Sequence, residues 1–154
     1  MRKSKSAISE VKMRAETKDA EHLSELVGII WSEHTDEKLT RIIKLYIASE
    51  NSAVFTEKVN DRYVGVALCC LRNDYVEGCE TSPVGYLEGI CVREAFRNRG
   101  IAKKLLSECE QWAKGKGCKE FASDCALTNT SSLNFHLSVG FQEQNRIICF
   151  KKTL

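Results

Sequence analysis

A chain of 154 residues, 43% apolar and 29% charged, has the proportions of one soluble globular domain able to bury a core without staples. A formal net charge of +2 with no long basic stripe argues against nucleic acid as a partner, and no apolar run is long enough to span a bilayer. Eight cysteines (69, 70, 79, 91, 109, 118, 125 and 149) contain no Cys-x-x-Cys pair, and the three histidines complete no zinc spacing. With no secretory signal ahead of them, they read as reduced, mostly buried thiols of a cytoplasmic chain.

Residues 1–9 are polar and basic and read as an extension ahead of a single domain over 10–154. Residues 11–15 suit a first short strand. Thr17 or Asp19 can cap a helix to about residue 33, with Leu23, Leu26, Val27, Ile30 and Trp31 on one stripe. Asp36 can cap a second helix through Leu39, Ile43 and Ile47. Residues 51–59 and 63–71 are strand-like, and Asn60-Asp61 between them suits a hairpin turn.

The stretch 83–92, "PVGYLEGICV", is the next strand. Strict alternation puts Glu88 on one face with Val84, Tyr86, Ile90 and Val92, and Cys91 on the other. A carboxylate there is costly unless something compensates it. A helix over 101–116 follows, apolar at Ile101, Leu105, Leu106, Cys109 and Trp112-Ala113, and stopped near Gly115 and Gly117. Residues 121–126 suit a strand, 131–139 a short helix and 144–150 a last strand. Two helices, a hairpin, then strand–helix–strand–helix–strand make a mixed α/β (α+β) domain.

Between the strand ending at Val92 and the helix opening at Ile101 lies Arg97-Asn98-Arg99-Gly100-Ile101-Ala102. A glycine-containing strand-to-helix turn offers free backbone N–H groups and the positive end of a helix dipole, which hold phosphates. Arg97, Arg99, Lys103 and Lys104 add charge. Taken alone, the turn is equally a solvated basic helix start. Neither Gly-x-x-x-x-Gly-Lys nor Gly-x-Gly-x-x-Gly is present.

Arg97-x-x-Gly100-x-Ala102 resembles the cofactor-binding turn of the GNAT N-acetyltransferases, and Asn129-x-x-Ser132-x-x-Phe135-His136-x-x-x-Gly140-Phe141 is similar to their second block. The resemblance implies the GNAT acyl-CoA N-acyltransferase fold, a mixed, mostly antiparallel sheet flanked by helices. It implies that the turn grips the pyrophosphate of acetyl-CoA, a co-substrate, with no metal. The strand 83–92 would splay from 119–126, the backbone at Ile90, Cys91 and Val92 would bond pantetheine or the thioester carbonyl, and Asn129 would contact the cofactor arm. The amine would attack the thioester directly in a ternary complex, so no cysteine need be a nucleophile.

A primary ammonium must lose a proton before attack, and a nearby carboxylate can accept it or orient the amine. Residues 73–92 carry Asp74, Glu77, Glu80 and Glu88 with no Lys or Arg, and Glu33, Asp36 and Glu37 follow Trp31. Glu33, Glu37 and Glu80 read best as solvated. Glu88 and Asp124 sit in central, otherwise apolar strands, where a polycationic acceptor makes their burial sensible. The strings Asp74-Tyr75-Val76-Glu77-Gly78, Thr81 to Ile90 and Glu120 to Asp124 resemble the chromosomally encoded bacterial aminoglycoside 6′-N-acetyltransferases, which confer resistance.

That resemblance implies that Trp31, Tyr75, Glu88 and Asp124 line the pocket of a cationic aminoglycoside. For Trp31 and Tyr75, a place in the core is an equal alternative. His136 stands where many superfamily members have a tyrosine as general acid; it reads rather as a helix residue packed beside the cofactor, with the general acid as the other reading. Asn145 replaces a common glutamate at the pocket, and Cys91 a common aromatic. The resemblance also implies a homodimer, in some relatives formed by exchange of the C-terminal strand. A polyamine acceptor, or a non-catalytic acyl-CoA sensor, is the competing reading.

Overall fold

The computed structural model describes residues 13–154. The expected extension over 1–9, and residues 11 and 12 of the expected first strand, lie outside the described residues. Arg14 bridges Phe55, the Ala15 N–H donates to Val54 O at 2.9 Å, and the Thr56 N–H donates to Met13 O at 2.7 Å. The segment therefore lies along the sheet as a bridge.

After a 3-10 turn at Thr17–Asp19, α1 spans Ala20–Ile30, ending three residues before the expected stop. Asp19 stands at the cap position, but its carboxylate reaches back to the Glu16 N–H (2.7 Å) and accepts from the Tyr63 hydroxyl. In α2, Asp36–Ala48, the cap is Thr35 rather than Asp36: its Oγ1 accepts from the Lys38 N–H at 3.3 Å. Asp36 and Glu37 fall in the first turn, where negative charge complements the helix dipole.

The hairpin pairs β1, Ser52–Val59, with β2, Arg62–Arg72. Asn60 and Asp61 both take positive φ (50° and 61°), the backbone of a tight two-residue turn that short polar side chains tolerate. Antiparallel to β2 runs β3, Val84–Val92; α3, Ile101–Gly115, then leads to β4, Phe121–Ser123, parallel beside β3, and to α4, Thr130–Ser138. Strand order is β1-β2-β3-β4, a mixed, mostly antiparallel sheet. Alternation divides the core between its faces. Val54, Val66 and Leu68 meet Leu23, Leu26 and Val27 of α1 and Leu39 and Ile43 of α2. Ala53, Phe55, Ala67 and Cys69 meet Leu105, Leu106 and Cys109 of α3. At Gly85 a Cβ would lie 2.5 Å from Phe121 Cδ2 and 2.6 Å from Ala113 Cβ, so a glycine is what lets α3 and β4 close on β3.

Alternation along β3 is broken at the residue that matters most. Pairing passes from Cys69↔Leu87 to Leu68↔Gly89, so Glu88 has no partner and forms a β-bulge. Leu87 and Ile90 then share the α3 face, while Cys91 packs against α1 and α2. The expectation that Glu88 and Ile90 share a face, with Cys91 opposite, is therefore incorrect. An extra residue shifts the side-chain phase by one, and bulges of this kind re-aim a side chain at the price of a ladder bond.

The expected last strand over 144–150 is also corrected. Residues 142–154 carry no strand pairing among the described residues, and Ile148 and Phe150 are 81% and 92% exposed. Its start is anchored: Asn145 Nδ2 donates to Glu77 Oε1 at 3.1 Å, and Gln144 packs on Gly78, whose φ of +76° and missing Cβ leave it room.

Candidate active site

Parallel pairing of β3 with β4 runs from Gly85↔Phe121 to Leu87↔Ser123 and stops. Beyond that point the strands part. The opening is a cavity of about 1050 Å³ lined by Glu88 to Val92 on one side and by Ser123 to Ala126 and Asn129 on the other. Trp31 and the turn residues Arg97, Asn98, Gly100, Ile101, Ala102 and Lys103 complete its wall. A second cavity, of about 680 Å³, is lined by Arg72, Tyr75, Glu77, Tyr86 and Asn145 among others. The two share Ser123, Asp124, His136 and Val139, so the end of β4 is where their contents would meet.

The turn presents free backbone N–H groups at a helix start. Asn98 and Gly100 take positive φ (60° and 77°), and Gly100 caps α3 without a side chain, leaving the first N–H groups of a 15-residue helix open toward the cavity. Not all the expected charge faces it. Arg99 stacks on Phe96 at 5.1 Å and does not line the cavity, Lys104 is tied to Glu57 at 2.8 Å, and Arg97 Nε donates to Val92 O at 3.0 Å. Asn129 lines the cavity while its Oδ1 caps α4, accepting from the Ser132 N–H at 3.0 Å.

At the cavity mouth the Glu88 carboxylate is 21% exposed and accepts three hydrogen bonds on Oε1. Arg72 Nη2 donates at 2.7 Å, Arg72 Nε at 3.2 Å and the Cys70 thiol at 3.1 Å. Burial and this carboxylate together push the Cys70 thiol up to about 12. The Arg72 guanidinium carbon also lies over the Tyr86 ring, 3.4 Å from its centre, and the Tyr86 hydroxyl donates to Asp124. Burial first, and then Asp124, raise the Tyr86 pKa. Thus the two carboxylates singled out from the sequence belong to one network.

His136 is held at both nitrogens. Nδ1 lies 2.6 Å from the Ser132 carbonyl, which can only accept, so that nitrogen carries the proton. Nε2 lies 2.8 Å from the Ser123 hydroxyl, which reaches Leu87 O at 3.1 Å, the last carbonyl before the strands part. Tyr75 is 80% exposed, not core, with its hydroxyl on Glu77 at 3.0 Å; Trp31 packs on the α1–α2 core and lines the larger cavity, not the smaller one. Glu120 accepts from the Glu80 and Thr81 N–H groups at 3.0 and 2.7 Å and so fixes the loop behind Tyr75. Glu33, Asp36 and Glu37 line neither cavity.

Sequence reasoning missed Arg72, Cys70 and Ser123. The stretch it searched for counter-charges began at residue 73, one position too late. An arginine closing a strand opposite a strand that carries a lone glutamate is a signal that could have found the pair. Among the described residues, no group of three or more His, Cys, Asp or Glu is arranged to hold a metal ion, and all eight cysteines are free.

The profile of the acetyltransferase (GNAT) family matches residues 20–141. An aminoglycoside N(6′)-acetyltransferase type 1 of Salmonella enteritidis is 37% identical over 132 residues, covering 86% of this chain and 91% of that protein. Among solved structures, the aminoglycoside N-acetyltransferase AAC(6′)-Iy in complex with CoA superposes with a TM-score of 0.88 at 35% identity, covering 92% of this chain and 93% of that one. The same enzyme with the bisubstrate analogue CoA-S-monomethyl-acetylneamine gives 0.87 at 35% identity, covering 92% and 96%.

Proposed function

The chain belongs to the GNAT acetyltransferase family, and on that premise we propose that it transfers acetyl from acetyl-CoA to the 6′-amino group of aminoglycosides, conferring resistance. The observation that carries this reading is the junction at the end of β4, where a cavity on the anion-binding turn meets one lined by acids and exposed tyrosine. The relatives that share more than a third of its residues over most of its length carry that activity in their names.

In this reading the turn from Arg97 to Ala102 holds the pyrophosphate of the co-substrate, with N–H groups supplied by the helix start and charge by Arg97 and Lys103. Backbone groups of Ile90, Cys91 and Val92, which open on the cavity where β4 has parted from β3, bond the pantetheine arm and polarise the thioester carbonyl. Asn129 contacts the arm from the opposite wall. Trp31 and Tyr75 provide flat faces for sugar rings, Glu88 and Asp124 orient the amine, and Asn145 lines the outer pocket. The amine attacks the thioester directly. His136, its Nε2 on the Ser123 hydroxyl beside the junction, packs beside the cofactor arm and holds that hydroxyl in place.

The exposed apolar residues Ile147, Ile148 and Phe150 have no sheet partner, and the outer edge of β4 is unpaired among the described residues. A second copy of the chain would satisfy both, as a homodimer in which residues 144–150 add to the partner's sheet.

The experiment is a thiol-release assay with purified protein, acetyl-CoA and a panel of aminoglycosides beside spermidine and lysine peptides. Turnover confined to compounds with a 6′-amine is the expected result, and turnover with spermidine alone would overturn the assignment.

A further inference from the structure

The smaller cavity is lined by Glu77, Glu110, Glu120, Asp124 and Glu143, and Arg72 is the one Lys or Arg among its lining residues. This cation reaches from the smaller cavity to Glu88, which lines the larger one. Both its donors, and the Cys70 thiol, end on Glu88 Oε1, while no hydrogen bond among the described residues ends on Oε2. Arg72 lies within β2, paired with Val84, so its backbone is held by the ladder rather than by a loop. The charged and titratable groups facing it are Cys70 on its own strand, Tyr86 and Glu88 on β3, Tyr46 of α2, and Asp124 through the Tyr86 hydroxyl. Tyr75 and Glu77 stand with it on the cavity rim.

We propose that Arg72 sets the protonation state of the acceptor amine: it is a fixed cation that neutralises one oxygen of Glu88 and leaves the other to accept a hydrogen bond from an uncharged amine. The inference rests on the acetyltransferase reading above. A lone carboxylate favours the ammonium, which has no lone pair to attack with; a guanidinium beside the same site disfavours it. The outer acids still draw in a polycation, so attraction and activation are assigned to different groups. On binding, the acceptor ammonium releases one proton to solvent. Its lone pair then forms the N–C bond as the C–S bond breaks with its electrons on sulfur, and the surplus proton on nitrogen goes to make the thiol.

Calorimetry on the wild-type protein with CoA, in buffers of different ionisation enthalpy, tests this without turnover. Two aminoglycosides that differ only in amino against hydroxyl at the 6′ position are compared near pH 6.5. The amino compound is expected to release about one proton more; equal release overturns the proposal. Kinetics give the second test. In Arg72→Gln the acid limb of the kcat profile is expected to move up by about one pH unit. Its KM near pH 6.5 falls several-fold, and its kcat rejoins the wild type at high pH. Arg72→Lys keeps the wild-type limb. A merely structural Arg72 lowers kcat by the same factor at every pH and leaves the limb in place, which contradicts the proposal. If the wild type acetylates spermidine and no aminoglycoside, the functional assignment fails, and the same profile on spermidine still decides Arg72.

Discussion

Glu88 is tolerated in a central strand because it is never without a partner. Arg72 and the Cys70 thiol satisfy one oxygen, and a bulge turns the side chain to a cavity mouth. Its replacement by glutamine keeps size and removes charge. Glu88→Gln is expected to raise the acceptor KM about tenfold, as the loss of one charge-assisted hydrogen bond implies, with kcat changed less. Steady-state kinetics at saturating acetyl-CoA check it, and a kcat near zero with KM unchanged would assign Glu88 to proton transfer instead. Asp19 shows the same logic in the core. Burial alone would raise its pKa, but the Glu16 N–H, the Tyr63 hydroxyl and the charge on Lys58 together hold it below the usual carboxylate value. The ionised form is therefore favoured in the folded state. Its contribution is complete above the unfolded value of about 3.9 and is lost as pH falls through the lower folded one. Asp19→Ala should lower stability by about 1 kcal/mol at pH 7, and the gap in melting temperature should close below about pH 4.

At the scale of elements, the turn and the parting of two strands are what make a site out of a sheet. Helix α3 and β4 reach β3 only because residue 85 has no side chain. Gly85→Val forces a methyl group against Phe121 and Ala113, an overpacking expected to cost about 1–3 kcal/mol. Melting temperature should fall by roughly 3 °C per kcal/mol, and because the same contact sets where the strands part, the KM for acetyl-CoA should rise with it. An unchanged melting curve would show that β4 can shift to make room. The helices and the hairpin were legible in advance because their signals are local: apolar stripes at helical spacing in α1, α2 and α3, and Asn60-Asp61 at the turn. The bulge at Glu88 was not, since a strict period of two has no means of marking an extra residue. The paired state of Glu88 was hidden for a different reason: Arg72 is 16 positions away in the chain and meets it only through strand register.

For the whole molecule, the C-terminal segment is the element left over. Residues 144–150 alternate like a strand, yet among the described residues no strand receives them. Light scattering is expected to give twice the chain mass for the wild type, and Phe150→Asp, which places a charge at a 92% exposed position, should shift it to the monomer. Wild-type protein that runs as a monomer, with Phe150→Asp indistinguishable from it, would refute strand exchange. Since Asn145 and Gln144 rest on the loop at Glu77 and Gly78, loss of the dimer should also weaken acceptor binding.

By itself the sequence determined the helices, the hairpin and the glycine turn ahead of α3, because each depends on residue type at short spacing; the strand it predicts over 144–150 is not formed among the described residues. Tertiary structure alone decided how the charges of the site are paired. Whether a carboxylate faces an incoming cation as a bare charge or as half of an ion pair depends on which strand lies beside it and in what register. In this protein, one bulge and the last residue of β2 settled that question.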